Sequence, residues 1–326
     1  MNRSGGTFSK DGDRATQLSN VALLYYGEGL TQSEIAKRLQ VSRVTVVNLL
    51  RDARDEGIVE IHVSGRHLTE SSLSRDLRDK FGLEDVYISD TFNSAETDRA
   101  AVLRQLGRVA ATAFLNVVEP GDKIGVAWGE TVLALCNALP RARVEGVEVS
   151  QLIGSMISDR VPASETCAIQ IANQIGARCF TLHAPAIVST VDLARALRLE
   201  PTIAAQMNRL RALDMVVSSI GNVSKDTHLV AAGMATPGEA KAAEKAGAKG
   251  VICCRYIDAQ GQECALPPSD RVVTTSLKNL RAARKIMLVV CGEDRADATR
   301  AAIAGGFATH LCVDRGLAAA LLQSNS

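Results

Sequence analysis

Neither sign of charge predominates in this 326-residue sequence: 37 Lys+Arg stand against 36 Asp+Glu, a formal charge of +1. No overall field therefore draws the chain to nucleic acid or to an anionic membrane, and any nucleic-acid contact must be local. There is no apolar run near the ~18 residues that a membrane span requires. The start, MNRSGGTFSKDGDR, lacks the apolar core of a secretory signal, so the expectation is a cytoplasmic protein with a short flexible N-terminus over residues 1–15. Fixed-period repeats are absent too. Apolar residues at 46% and charged residues at 22% exclude disordered and low-complexity classes, and the length suits about two domains.

Several chemistries also lack their marks. The eight cysteines form no C-x-x-C, and there is no His-x-x-x-His or H-E-x-x-H, which argues against a metal site or a disulfide framework. Buried free thiols are expected instead. The pair Cys253-Cys254 offers a redox-sensor reading, against which adjacent residues of a strand point to opposite faces. Neither G-x-G-x-x-G nor a P-loop occurs, nor a G-x-S-x-G elbow, so no nucleotide cofactor or acyl-transfer nucleophile is implied. His183, His228 and His310 lie in apolar or strand contexts and read as structural histidines.

What is present begins near residue 16. Leu18, Val21, Ala22 and Tyr25 have helical spacing, and Gly27 and Gly29 end that helix. Thr31 with Glu34 forms a T-x-x-E capping box for a short helix with Ile35, Ala36 and Leu39 as its buried stripe. After a turn at Gln40-Val41, Ser42 caps a third helix with an apolar face of Val46, Leu49, Leu50 and Ala53, stopped by Gly57. Ile58–Val63 then alternates as a short strand or wing. The arrangement predicts a winged helix-turn-helix over residues 16–66. Between Thr31 and Arg54, five basic residues (Lys37, Arg38, Arg43, Arg51, Arg54) face two acidic ones (Glu34, Asp52), a local excess in a neutral chain. Arg43, Val44, Thr45, Val47 and Asn48 lie off the apolar stripe, where a recognition helix meets base edges. Tyr26, Lys37, Arg38 and Arg51 are candidates for phosphate contact, and Gln32 and Ser42 complete the expected DNA-facing set. The competing reading is a three-helix interaction module with a solvated basic face.

Residues 67–84 predict a linker or oligomerisation helix. From Asp85 to the end, short β-branched runs alternate with helical stretches, which predicts a Rossmann-like α/β effector domain (85–326) with a mostly parallel sheet. Ligands of such sheets bind beyond the carboxyl ends of the strands. Four strand ends carry suitable residues: GVAWGET with Gly129, Glu130 and Thr131; QLIGS with Gly154 and Ser155; SSIGN with Gly221 and Asn222; and CGEDRAD leading to Arg295. Asp258, after the run GVICCRYI, is either a sugar-contacting acid on the same rim or an Asx-turn residue.

The stretch Leu30–Val63 resembles the helix-turn-helix of the SorC family of bacterial transcription regulators. The ordered series GVAWGET, QLIGS, SSIGN, Gly250–Gly261 and Ala301–Asp314 resembles that family's sugar-binding domain. The resemblance implies a phosphosugar-isomerase-like domain turned sensor, in a dimer or tetramer that binds a double-stranded operator under control of a phosphorylated sugar or polyol, with no metal or other cofactor. By position it assigns Gly129 and Thr131 to the phosphate-facing loop, Gly154 and Gly221 to neighbouring loops, and Asp258 to the sugar. Arg295 stands where many members have Lys, and Asn48 where many have Arg. Glu130 puts a carboxylate beside the anion site, which weakens phosphate binding and leaves room for an unphosphorylated effector. The alternative is a sugar-phosphate isomerase or deaminase with an attached helix-turn-helix, disfavoured because no acid–base pair is evident near Asp258.

Overall fold

A computed structural model describes residues 10–59, 71–90, 98–156, 164–224 and 227–323. The chain divides into two compact units, Met1–Val63 and Ser64–Ser326. In the first, α1 (Lys10–Ala22) runs into a single π-helical turn over Leu23–Gly27, followed by α2 (Gln32–Leu39) and α3 (Arg43–Asp55). The capping box at Thr31 is formed, with the Glu34 N–H donating to Thr31 Oγ1 and the Thr31 N–H to Glu34 Oε2 at 2.8 Å. Gln40 takes the left-handed conformation (φ 55°) that turns α2 into α3. Val21, Ile35, Val46 and Leu50 make the core, with Leu18 against Ala53.

Three expectations for this unit change. The first helix starts at Lys10, inside the segment expected to be flexible, and Arg14 ties it to Asp52 on α3 (2.9 Å) and to Glu56, the residue that ends α3 (3.2 Å). Leu39, expected to be buried, is 37% exposed, since it closes α2 just before the left-handed turn. The expected wing lies mostly outside the described residues; Ile58 and Val59, its described part, form a bend whose N–H groups both donate to Ala53 O.

The second unit runs through α4 (Ser72–Phe81), β1 (Asp85–Ser89), α5 (Arg99–Val117), β2 (Lys123–Val126), α6 (Glu130–Ala138), β3 (Glu148–Gln151), α7 (Ser164–Ile175), β4 (Arg178–Phe180), α8 (Val191–Leu199), α9 (Pro201–Arg209) and β5 (Met215–Ser218). It continues with α10 (His228–Ala231), α11 (Pro237–Lys245), β6 (Gly250–Ile252), β7 (Arg255–Ile257), α12 (Leu277–Arg281), β8 (Lys285–Val290), α13 (Ala296–Ala304), β9 (His310–Asp314) and α14 (Arg315–Leu322). Seven strands form one parallel sheet in the order β1-β9-β8-β5-β2-β3-β4. Strand residues alternate between two cores: Ile286, Leu288 and Val290 enter one, Met287 and Val289 the other. Helices therefore cover both faces, as an all-parallel sheet requires. Leu77 of α4 belongs to the first of these cores, so α4, which lies within the segment expected as a linker or oligomerisation helix, packs into this unit.

The run expected as one strand at 250–257 is a hairpin, β6 against β7, outside the main sheet. Cys253 and Cys254 are its turn, both left-handed (φ 46° and 63°), so they do not alternate across a strand. The β-branched run at 271–276 makes only isolated antiparallel bridges, Thr274 to Ile153 and Val272 to Ile187, because those partners lie in loops beyond β3 and β4.

At the amino ends of β2 and β8, the buried Lys285 ammonium donates to Asp122 Oδ2 (2.6 Å), Glu119 Oε2 (3.0 Å) and Val117 O (3.1 Å). Lys285→Met removes the buried cation and leaves the 4%-exposed Asp122 side chain with only the more distant, exposed Arg284 guanidinium at 3.8 Å. Urea denaturation is expected to show a loss of about 3–5 kcal/mol; an unchanged midpoint would show that the pair is dispensable.

Candidate functional site

The small unit presents an exposed basic face. Arg43, Val44, Thr45, Val47 and Asn48 on α3 are all exposed, while Val46, Leu50 and Ala53 are buried. Lys37, Arg38, Arg51 and Tyr26 are exposed as well. Short contacts fix part of the face: Ser42 Oγ accepts from the Thr45 N–H (3.0 Å) and shares a 2.7 Å hydrogen bond with Thr45 Oγ1. The Arg43 Nε–H donates to Gln32 Oε1 at 3.3 Å, tying the first residue of α3 to the first of α2. Thus Ser42 and Gln32 orient the start of α3. Arg38 is paired with Glu28 at 3.3 Å across the surface.

The large unit holds a cavity of about 190 Å³ at the carboxyl ends of β2 and β5. These strands are neighbours, yet β2 leads onward to β3 on one side and β5 to β8 on the other. The chain thus diverges here, and a crevice opens where ligands of open α/β sheets bind. Gly129 links β2 to α6 with φ 147° and ψ 160°, a conformation open essentially to glycine alone. No side chain caps α6, so its first-turn N–H groups are available beside the cavity. Gly221 is required for a different reason: a Cβ there would lie 2.2 Å from Cε1 of His228, which lines the cavity.

Charge enters from three elements. Arg99, the first residue of α5, donates to Glu130 Oε2 at 2.8 Å, so the carboxylate expected to repel an anion is matched by a guanidinium. Arg295 also lines the cavity; its Nη1 donates to Cys291 O (2.8 Å) and faces Asp294 Oδ1 (3.3 Å). Thr131 departs from expectation in its chemistry: its hydroxyl donates to Val289 O at 2.7 Å, so it anchors α6 to β8 and has no proton left for an anion. Trp128 is 6% exposed, packs edge-on to His228 with ring centroids 5.3 Å apart, and its Nε1 has no hydrogen-bond partner. That N–H approaches the weakly accepting Cys254 thiol and slightly counters the rise that burial imposes on it.

The rim brings Gly129, Glu130, Thr131, Gly221 and Arg295 together, and it leaves four expected residues outside the lining. Gly154 packs on the Ala184-Pro185 backbone, and Ser155 bridges to Pro185. Asn222 donates to Asp294 Oδ2 at 2.7 Å, one residue from Arg295. Asp258 is corrected most clearly: its Oδ1 accepts from the N–H groups of Gln260 and Gln262, the Asx-turn reading, after a hairpin that is not part of the main sheet. Sequence reasoning missed Arg99, Trp128 and His228 as lining residues. His228 follows no motif, whereas Trp128 stands inside GVAWGET and Arg99 directly after the helix-capping Asp98. The hairpin turn at Cys253-Cys254 closes another side, and burial raises the Cys253 thiol to about 12, an inert protonated state.

A helix-turn-helix with a basic outer face and an α/β unit with a cationic cavity at its switch point define a ligand-responsive DNA-binding protein. Comparison with known proteins gives the family. Residues 66–323 match the family described as "Putative sugar-binding domain", and residues 19–56 match sigma-70 region 4. The uncharacterized transcriptional regulator YjhU of Escherichia coli K12 is 34% identical over 301 residues, 92% of each chain. The deoxyribonucleoside regulator of Bacillus subtilis 168 is 29% identical over 314 residues, 95% of this chain and 99% of its own. The full-length sorbitol operon regulator SorC of Klebsiella pneumoniae has the same fold, with a TM-score of 0.70 at 24% identity over 95% of this chain and 100% of that one. The chain belongs to this SorC-type family of sugar-binding transcriptional regulators. These relatives are regulators, and the enzyme alternative finds no support among them. No helix among the described residues is long and apolar enough to cross a membrane.

Burial, and secondarily the charge of Arg295, lowers the His228 pKa to about 4. In the unfolded chain it is near 6.5, so between these values the unfolded state binds more protons. The contribution of neutral His228 to stability is therefore complete above about pH 6.5 and is lost as the pH falls towards 4. Denaturation midpoints between pH 4 and 7 are expected to show a steeper acid limb in the wild type than in His228→Gln; identical limbs would remove His228 from the acid response.

Proposed function

We propose that this regulator controls an operon for carbohydrate or polyol catabolism, and that a phosphorylated sugar or sugar alcohol bound at the β2/β5 cavity sets its affinity for a double-stranded operator. The observation that carries the reading is the meeting of two guanidinium groups, Arg99 and Arg295, with the uncapped amino end of α6 around one cavity. Glu130 is answered by Arg99, which leaves Arg295 and the α6 N–H groups for an anion. Gly129 lets the backbone approach that anion, and Gly221 keeps His228 in place. Gly154, Ser155 and Asn222 act from behind the lining by holding the neighbouring loops.

On the DNA side, Arg43 and Asn48 read bases in the major groove, and Tyr26, Lys37, Arg38 and Arg51 meet phosphates. Ser42, Thr45 and Gln32 hold the amino end of α3 in the groove. Two subunits of a homodimer or homotetramer in the cytoplasm read the halves of a palindromic site. The effector shifts operator affinity by the difference in its own affinity for the two states of the assembly, and by no more.

Two measurements test these assignments. In a thermal-shift panel of phosphorylated sugars, sugar alcohols and their unphosphorylated forms, a phosphorylated compound is expected to raise the melting temperature. Arg295→Ala is expected to abolish that shift without loss of DNA binding, and a variant that responds like wild type would take Arg295 out of the site. Arg43→Ala is expected to lower operator affinity by about 1–3 kcal/mol; full affinity in gel-shift titration would refute its role in base reading.

A further inference from the structure

After Arg43, the first turns of α3 hold four β-branched residues in a row, Val44-Thr45-Val46-Val47. β-Branched side chains lose χ1 freedom in a helix and are poor helix formers. Val46 has a reason to be there, since it is fully buried in the core of the small unit. Val44 and Val47 have none of that kind: they are 68% and 42% exposed, and they serve neither helix propensity nor the core. Three residues apart, they share one face of α3. Local choices that break a folding rule without a compensating gain in packing mark functional positions.

The surroundings say what covers this face. Arg43 and Asn48 flank the two valines on α3, and Lys37, Arg38, Arg51 and Arg54 are exposed on the same two helices. An apolar pair inside a cationic rim does not suit an apolar protein surface, but it suits polyanionic duplex DNA, where phosphates meet the rim and the groove floor meets the pair. The major-groove edge of a base pair has one apolar group, the C5-methyl of thymine. The polar side chain between the valines in sequence, the Thr45 hydroxyl, is already engaged with Ser42 Oγ at 2.7 Å.

We propose that Val44 and Val47 are specificity-determining residues that read thymine methyl groups, so that each operator half-site carries thymine at the positions they cover. This rests on the DNA-binding role of α3 and is independent of which effector the cavity takes. Each contact buries about one methyl group, an effect of about three- to five-fold in affinity.

The experiment uses the full chain without effector. A duplex is selected from a random-sequence library, and each of its thymines is then replaced singly by deoxyuridine, which removes the methyl and keeps every hydrogen-bonding group. Binding is expected to weaken about three- to five-fold at one or two positions per half-site. At those positions 5-methylcytosine in a C·G pair should recover part of the loss caused by unmethylated cytosine. Val44→Ala and Val47→Ala, which favour the helix and leave the core untouched, should each abolish the deoxyuridine effect at its own position. The proposal fails if no deoxyuridine substitution weakens binding, or if the sensitive positions stay sensitive in both variants. It fails equally if the variants change self-association and not the methyl dependence, which would make the valines a protein contact. Loss of the Arg43 or Arg295 assignments would leave this result standing, because neither residue enters the comparison.

Discussion

The chemistry of the large unit depends on one topological constraint. All seven strands run parallel, so every strand exit lies on the same edge of the sheet, and only between β2 and β5 does the chain leave neighbouring strands in opposite directions. The cavity is the space that this divergence leaves. Its contents follow: Gly129 and the amino end of α6 arrive with the β2 exit, Ser218 to Gly221 with the β5 exit, and Arg295 from the loop after β8, the next strand across. The anchor from Thr131 to Val289 O then locks α6 to the strand beyond β5, so the walls of the crevice are tied across its mouth.

Much of this is legible in the sequence, because a parallel sheet buried on both faces leaves continuous apolar runs such as KIMLVV, and glycines at strand exits advertise close backbone approach. The helix-turn-helix is legible for a similar reason: Thr31, Glu34 and Ser42 are capping residues whose spacing marks two helix starts separated by a tight turn. What stays hidden is convergence. Arg99 and His228 open helices 129 residues apart and meet only because α5 and α10 both begin on the same rim. The Cys253-Cys254 turn passes for strand in the sequence because it uses neither Asn nor Gly where two left-handed residues are needed. Asp258 falls on the rim only if that false strand is continued, and the hairpin turns the chain away from the main sheet before it arrives.

Charge is distributed by function. The net charge of +1 conceals a helical face with a cationic surplus and a cavity in which two arginines face one lining carboxylate. Glu130 shows why single residues mislead: taken alone it opposes an anion, but paired with Arg99 it holds a guanidinium at the cavity wall. In both units a candidate side chain is held by a hydrogen bond, Arg43 by Gln32 at 3.3 Å and Arg295 by Cys291 O at 2.8 Å.

The central claim is that ligand in the switch-point cavity and operator on the helix-turn-helix are thermodynamically coupled. Linkage makes this testable without knowing the direction of regulation, because the factor by which ligand changes operator affinity must equal the factor by which operator changes ligand affinity. Calorimetric titration of a stabilising phosphorylated compound into the free protein and into its complex with a selected operator duplex measures that factor directly. The expected result is a difference of about five-fold or more between the two affinities, matched by an equal shift of operator affinity at saturating ligand. Tight binding with the same affinity to the free protein and to the complex would contradict the coupling.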